Sequence, residues 1–167
     1  MNLQELNELN EIDAKEVFSR CCSASNWVND MVNARPYKDI DAVQARAVKV
    51  WRTMEKPDFM EAFDGHPKIG DPESLADKYR NTHALASDEQ SSVEVASEEV
   101  IHKLAIANQQ YKQKFGYIFI ICATGKTADQ MLDLINRRIY NDPESELAIA
   151  ATEQQKITAI RISVIFS

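Results

Sequence analysis

Apolar residues recur at intervals of three and four along most of this chain, the spacing that gathers them on one face of an α-helix. The pattern predicts a leading segment around Leu3 and Leu6, then a helix carrying Ala14, Val17, Phe18, Cys21 and Cys22. Asp13, with Glu16 three residues on, reads as the capping box that opens it. Ser25 is placed to cap the next helix, which turns Trp27, Val28, Met31 and Val32 inward and stops at Arg35-Pro36. Asp39 caps a third, with Ile40, Val43, Ala47, Val50, Trp51 and Met54 facing inward. A short helix from about Pro57 follows, since proline suits a first helical position. It carries Phe59, Met60 and Phe63, and another short helix is expected over 73–79.

Ser87 and Gln90 form a second capping box ahead of the longest periodic run, through Val93, Ala96, Val100, Leu104, Ala107, Tyr111 and Phe115 to Gly116. At 1.5 Å per residue this helix spans roughly 40 Å, long enough to be the spine of a small domain. Thr127 with Gln130 opens a helix bearing Met131, Leu134, Ile135 and Ile139. Asp142-Pro143 starts the last one, with Leu147, Ala150, Ala151, Gln154, Ile157, Ile160, Val164 and Ile165 on its inner side. The expectation is an all-α fold, a single-domain helical bundle over residues 1–167. It has about eight or nine helices around a long central one.

Two stretches interrupt this rhythm. Asp64-Gly65-His66-Pro67-Lys68-Ile69-Gly70-Asp71 holds two of the four glycines and a proline, and so reads as a stiff loop. Pro67 pushes His66 toward an extended backbone, and Gly65 and Gly70 permit turns that a Cβ would resist. Such a loop either presents the imidazole for catalysis or packs it in a helix–helix connection. The apolar run from Tyr117 to Ala123 is too short for a helix, and no second strand candidate lies near it. It is either a buried extended segment or the first turn of another element. Taken as a buried, non-helical strip, it has backbone polar groups that need partners, which a polar ligand would supply.

A net charge of −7 argues against nucleic acid or an anionic membrane as partner. It leaves room for a small anionic substrate held by a local arginine. Arg161 borders the last helix's apolar stripe, a position that more often lets the side chain snorkel to solvent than hold a carboxylate. The three cysteines show no disulfide framework, and neither a signal peptide nor a membrane span is evident, so a cytoplasmic protein is the default. Gly125-Lys126-Thr127 lacks the earlier glycine of a phosphate-binding loop, because position 120 is isoleucine. Glu99 and His102 have di-iron spacing but no second copy, so no metal site is expected.

Read together, the motifs resemble one family. Gly65-His66-Pro67-Lys68-Ile69-Gly70, Glu89-Gln90 at a helix start, Tyr111 with Phe115-Gly116-Tyr117-Ile118-Phe119, Asn141-Asp142-Pro143-Glu144-Ser145-Glu146-Leu147, then Lys156-Ile157 and Arg161 follow one another in a characteristic order. That order is similar to the 2-oxo-4-hydroxy-4-carboxy-5-ureidoimidazoline (OHCU) decarboxylases of urate degradation. The resemblance implies an all-helical, cofactor-free carboxy-lyase, commonly a homodimer. Its substrate is the small ureidoimidazoline left after urate oxidation and hydrolysis of 5-hydroxyisourate, and its product is (S)-allantoin. It implies His66 and Glu89 as catalytic residues, with His66 the proton carrier. It also implies substrate contacts from Pro67, from Ala86, Ser87, Asp88, Glu89 and Gln90, from Phe119, Ile120, Ile121, Cys122 and Ala123, and from Arg161. Ala86 stands where relatives often have serine, and Thr124 where many carry arginine.

These residue types suit the reaction. The substrate carries an imine beside the carbon that loses CO2, so an electron sink is already present. An imidazole can then move a proton near neutral pH. The competing classes are a non-catalytic helical interaction module, in which His66 is a loop residue and Glu89 a helix-start acid, and a related lyase acting on another ureide.

Overall fold

The computed structural model describes residues 1–66 and 98–167, and among them every regular element is an α-helix. In chain order these are α1 (Leu3–Glu8), α2 (Glu11–Ser19), α3 (Ser25–Asn33), α4 (Ile40–Trp51), α5 (Lys56–Asp64), α6 (Glu98–Phe115), α7 (Ala128–Arg138) and α8 (Pro143–Ile165). The all-α expectation holds over these residues. The helix expected at 73–79 and the Ser87 start of the long helix lie outside the described residues. So do Pro67, Ala86, Ser87, Asp88, Glu89 and Gln90.

Local capping chemistry explains most boundaries. Asp39 accepts from the Ala42 N–H at 2.7 Å and starts α4 as expected. Thr127 and Gln130 close their box at α7, and Asp142 accepts from the Ser145 N–H at 2.9 Å at the head of α8. Two starts differ from the sequence reading. Asn10, not Asp13, caps α2, its side-chain oxygen taking the Asp13 N–H at 3.0 Å. At α3 the cap position is Ala24, and Ser25 is already the first helical residue. Its N–H is met instead by the Glu61 carboxylate of α5 at 2.9 Å, and its hydroxyl donates to the same group. A long-range acceptor therefore does there what a local side chain usually does.

The chain forms two compact units, Met1–His66 with Ala150–Ser167, and Pro67–Ile149. In the first, Phe18, Trp27, Met31, Val43, Phe63 and Ile162 are buried. Phe18 meets Trp27 edge to face at 6.1 Å. The C-terminal part of α8 is tied into this core by the Trp51 indole, which donates to the Ala151 carbonyl at 2.9 Å, and by Gln44, which donates to Ala159 at 2.9 Å. The inward face of α8 differs from the predicted stripe. Ala150, Ala151 and Gln154 are buried as predicted, but Ile160 and Val164 are exposed, at 41% and 65%, and Thr158 and Ile162 are buried instead. Gln154 and Thr158 hydrogen-bond each other inside, so hydropathy alone misplaced the C-terminal part of the stripe.

In the second unit, the rings of Phe115 and Phe119 pack on Tyr111 at 4.6 and 5.1 Å. Gly116, with φ of 83°, ends α6 in the left-handed region that glycine enters without a Cβ penalty.

Candidate active site

His66 is positioned by the end of α5, and that end is pinned to the segment before and within α3. Ser23 Oγ donates to the carbonyl of Glu61 at 3.1 Å. Glu61 itself holds Ser25, and Asn26 donates to Asp58 at 2.7 Å. Gly65 then has φ of −72°, an ordinary value, so its role is not the permissive turn expected from the sequence. What it supplies is space: a Cβ there would stand 2.0 Å from Ser23 Oγ and 2.6 Å from Ser23 Cβ. The His66 N–H continues the helix end by donating to Phe63 at 3.2 Å.

The imidazole is half-buried, and its Nε2 lies 2.5 Å from Gln154 Oε1 on α8. Gln154 is completely buried, and its amide nitrogen donates to Thr158 Oγ1 at 3.3 Å. Two turns along from Gln154, about 10 Å by helical rise, stands Arg161. Positions 154, 158 and 161 fall on one helix face. Arg161 is half-buried, and its Nη1 donates to the Cys21 carbonyl at 3.3 Å, so it turns inward rather than snorkelling away. Cys21 and Cys22 are core residues, as their helical spacing implied. Burial pushes their thiols up to about 12 and about 11, with the Arg161 charge opposing the shift. Neither is a thiolate nucleophile near neutral pH.

The strip after Gly116 is non-helical, as expected. Phe119, Ile120 and Cys122 are buried, and Ile121 and Ala123 are half-buried. It is held from α7 and α8 by a buried polar cluster that the sequence reading missed. The Arg138 guanidinium donates to the Ile120 carbonyl at 2.8 Å and lies 4.5 Å from the Phe119 ring centre. Its other nitrogens bind Glu146 at 2.7 and 2.5 Å. Glu146, completely buried, also accepts from Tyr111 at 2.5 Å and from Asn141 at 2.8 Å. Burial and the adjoining carboxylate push the Tyr111 phenol far up, so it remains a donor. Lys126 takes the Cys122 carbonyl at 2.9 Å. At least part of the backbone demand that suggested a ligand is therefore met by protein. The signal for this cluster was weak: a glutamate in a helix's first turn reads as a dipole partner.

Glu99 pairs with Lys103 at 2.5 Å on an exposed surface, and His102 is exposed. Among the described residues, no group of three or more His, Cys, Asp or Glu side chains is placed to hold a metal.

The OHCU decarboxylase family profile matches residues 7–163. The uric acid degradation bifunctional protein TTL of Arabidopsis thaliana is 36% identical over 148 residues, covering 88% of this chain and 45% of that protein. A bifunctional uric acid degradation protein of a Bacillus species is 25% identical over 99% of this chain and 32% of its own length. The chain thus spans less than half of these two relatives. A 2-oxo-4-hydroxy-4-carboxy-5-ureidoimidazoline decarboxylase of Haloferax volcanii is 21% identical across 100% of this chain and 97% of its own. A crystal structure of an OHCU decarboxylase in the presence of (S)-allantoin superposes with a TM-score of 0.73 at 33% identity, covering 91% of this chain and 97% of that one.

Proposed function

The chain belongs to the OHCU decarboxylase family, and from that premise we propose that it decarboxylates 2-oxo-4-hydroxy-4-carboxy-5-ureidoimidazoline to (S)-allantoin. The observation that carries the reading is the held imidazole. His66, in the family's Gly-His-Pro motif, sits on a pinned helix end with one ring nitrogen engaged by a buried amide. The family match runs through both compact units, which supports treating residues 1–167 as one working domain.

The reaction follows from the substrate's own bonds. The bond to the carboxyl carbon breaks, and its electron pair forms a double bond between two ring carbons. The imine nitrogen takes up the displaced pair together with a proton. Moving the carboxylate from water to a partly apolar pocket assists this step. The resulting enol becomes a ketone when its hydroxyl proton goes to Glu89 and the neighbouring ring carbon receives a proton from His66 on one face. Arg161 supplies positive charge to the anionic substrate. Pro67, the 86–90 segment and the Phe119–Ala123 strip line the substrate in this reading. General acid–base help of this kind is worth about 10²–10⁴-fold, and orientation must supply much of the remainder.

No cofactor is required, because the imine is the electron sink. The reading also takes the protein as a cytoplasmic homodimer without nucleic-acid or membrane partners. The charge of −7 supports the lack of a nucleic-acid role, and no described helix is long and apolar enough to cross a membrane. The test is to add the protein to freshly generated 5-hydroxyisourate hydrolysis product. CO2 release well above the spontaneous rate, without added metal or cofactor, is the expected result. Release at the spontaneous rate would overturn the assignment.

A further inference from the structure

We propose that Gln154 is a positioning residue that fixes the tautomer and orientation of His66. The inference rests on the reading of His66 as proton carrier and adds a residue to it. Gln154 is completely buried on the inner face of α8, with its Oε1 2.5 Å from His66 Nε2 and its Nε2 donating to Thr158 Oγ1 at 3.3 Å. A side-chain amide can turn either end toward a ring, and the hydrogen-bond network decides which. In the structure the nitrogen end donates to Thr158 Oγ1 and the oxygen, which only accepts, is the end facing His66. The facing ring nitrogen must carry the proton. In the neutral ring the lone pair then resides on Nδ1, which on the reading of His66 as proton carrier is the nitrogen that exchanges the proton.

The same contact survives the catalytic cycle. A neutral amide oxygen accepts from Nε2–H in both the imidazole and the imidazolium, so the ring stays in place as Nδ1 gains and loses its proton. A carboxylate at this position would favour the charged ring instead. Burial reinforces the contact, because an amide enclosed without its hydrogen bonds is costly and a low local dielectric strengthens those it makes.

The experiment compares the wild type with Gln154→Leu, Gln154→Glu and His66→Asn. Its readouts are ring ¹⁵N spectra of His66 under conditions where the imidazole is neutral, and kcat and KM. The wild type should show the Nε2–H form alone. Gln154→Leu should show mixed tautomers, with kcat reduced about tenfold, a fraction of the full acid–base contribution, and KM little changed. Gln154→Glu, which keeps an acceptor at the same place, should restore the Nε2–H signature and part of kcat. If Gln154→Leu does not fold, Gln154→Met is measured in its place and judged by the same criteria. A leucine or methionine variant with wild-type tautomer and kcat, beside an inactive His66→Asn, would overturn this inference alone. An active His66→Asn would remove the reading on which it rests.

Discussion

In the proposed reading Arg161 meets two demands with one side chain, and they can be separated by measurement. Its hydrogen bond to the Cys21 carbonyl, 140 residues away in the chain, is structural. The charge lies on the helix face that also carries Gln154, and the proposed function assigns it to the anionic substrate. Arg161→Ala should raise KM roughly tenfold, equivalent to about 1.4 kcal/mol of binding, while losing about 1 kcal/mol of stability for the hydrogen bond. Arg161→Lys should recover part of the binding because the charge remains. An unchanged KM in the alanine variant would leave Arg161 with its structural role only. At this scale the sequence was partly legible. His66 was singled out by its place on a proline-stiffened loop, whereas Arg161, beside the last helix's apolar stripe, read first as a snorkelling side chain and gained a role only through the family resemblance. Gln154 was visible as a polar residue within that stripe, but its role was not. Its partner lies 88 residues away, and no local pattern encodes such a pair. Gly65 was noticed for the wrong property: the close approach of Ser23 depends on tertiary packing.

The helices themselves were read well because amphipathic spacing is a local property, and tertiary packing here follows it. Asp39, Thr127 and Asp142 were identified as caps for the same reason. Ser25 was also read as a cap, but it is the first helical residue and its N–H is satisfied from Glu61 on another helix. The strip after Gly116 was legible as a break in the period, whereas its anchor was not. Arg138, Glu146 and Tyr111 come from three helices and meet only in the fold. Removing one partner of this buried pair, as in Arg138→Met, should destabilise the protein by about 3–5 kcal/mol, because it strands a carboxylate away from water. Replacing both, with Arg138→Met and Glu146→Leu, should recover much of that loss in urea denaturation. Activity should stay low in the double variant, because the Ile120 carbonyl and the strip it belongs to have lost their hold. Full activity in a stable double variant would show that the cluster contributes stability and does not position the strip.

For the whole molecule, buried acidic groups set a limit at alkaline pH. Burial raises Cys21 from 9.0 to about 12, Cys22 from 9.0 to about 11, and Tyr37 from 10.0 to about 12. The unfolded chain releases these protons at lower pH than the folded one, so folding stability falls as the pH rises. The contribution is fully present below about pH 9 and is lost toward pH 12. Urea midpoints should therefore decline progressively above pH 9, and a flat profile to pH 11 would contradict the assigned burial. The central claim is tested most directly by the handedness of the product. Spontaneous decay of the substrate has no preferred face, whereas a positioned imidazole delivers its proton to one. Circular dichroism of the allantoin formed should show (S)-allantoin in large excess with the wild type and a nearly racemic product with His66→Asn at matched conversion. Full stereochemical excess and near-normal turnover from His66→Asn would contradict the account.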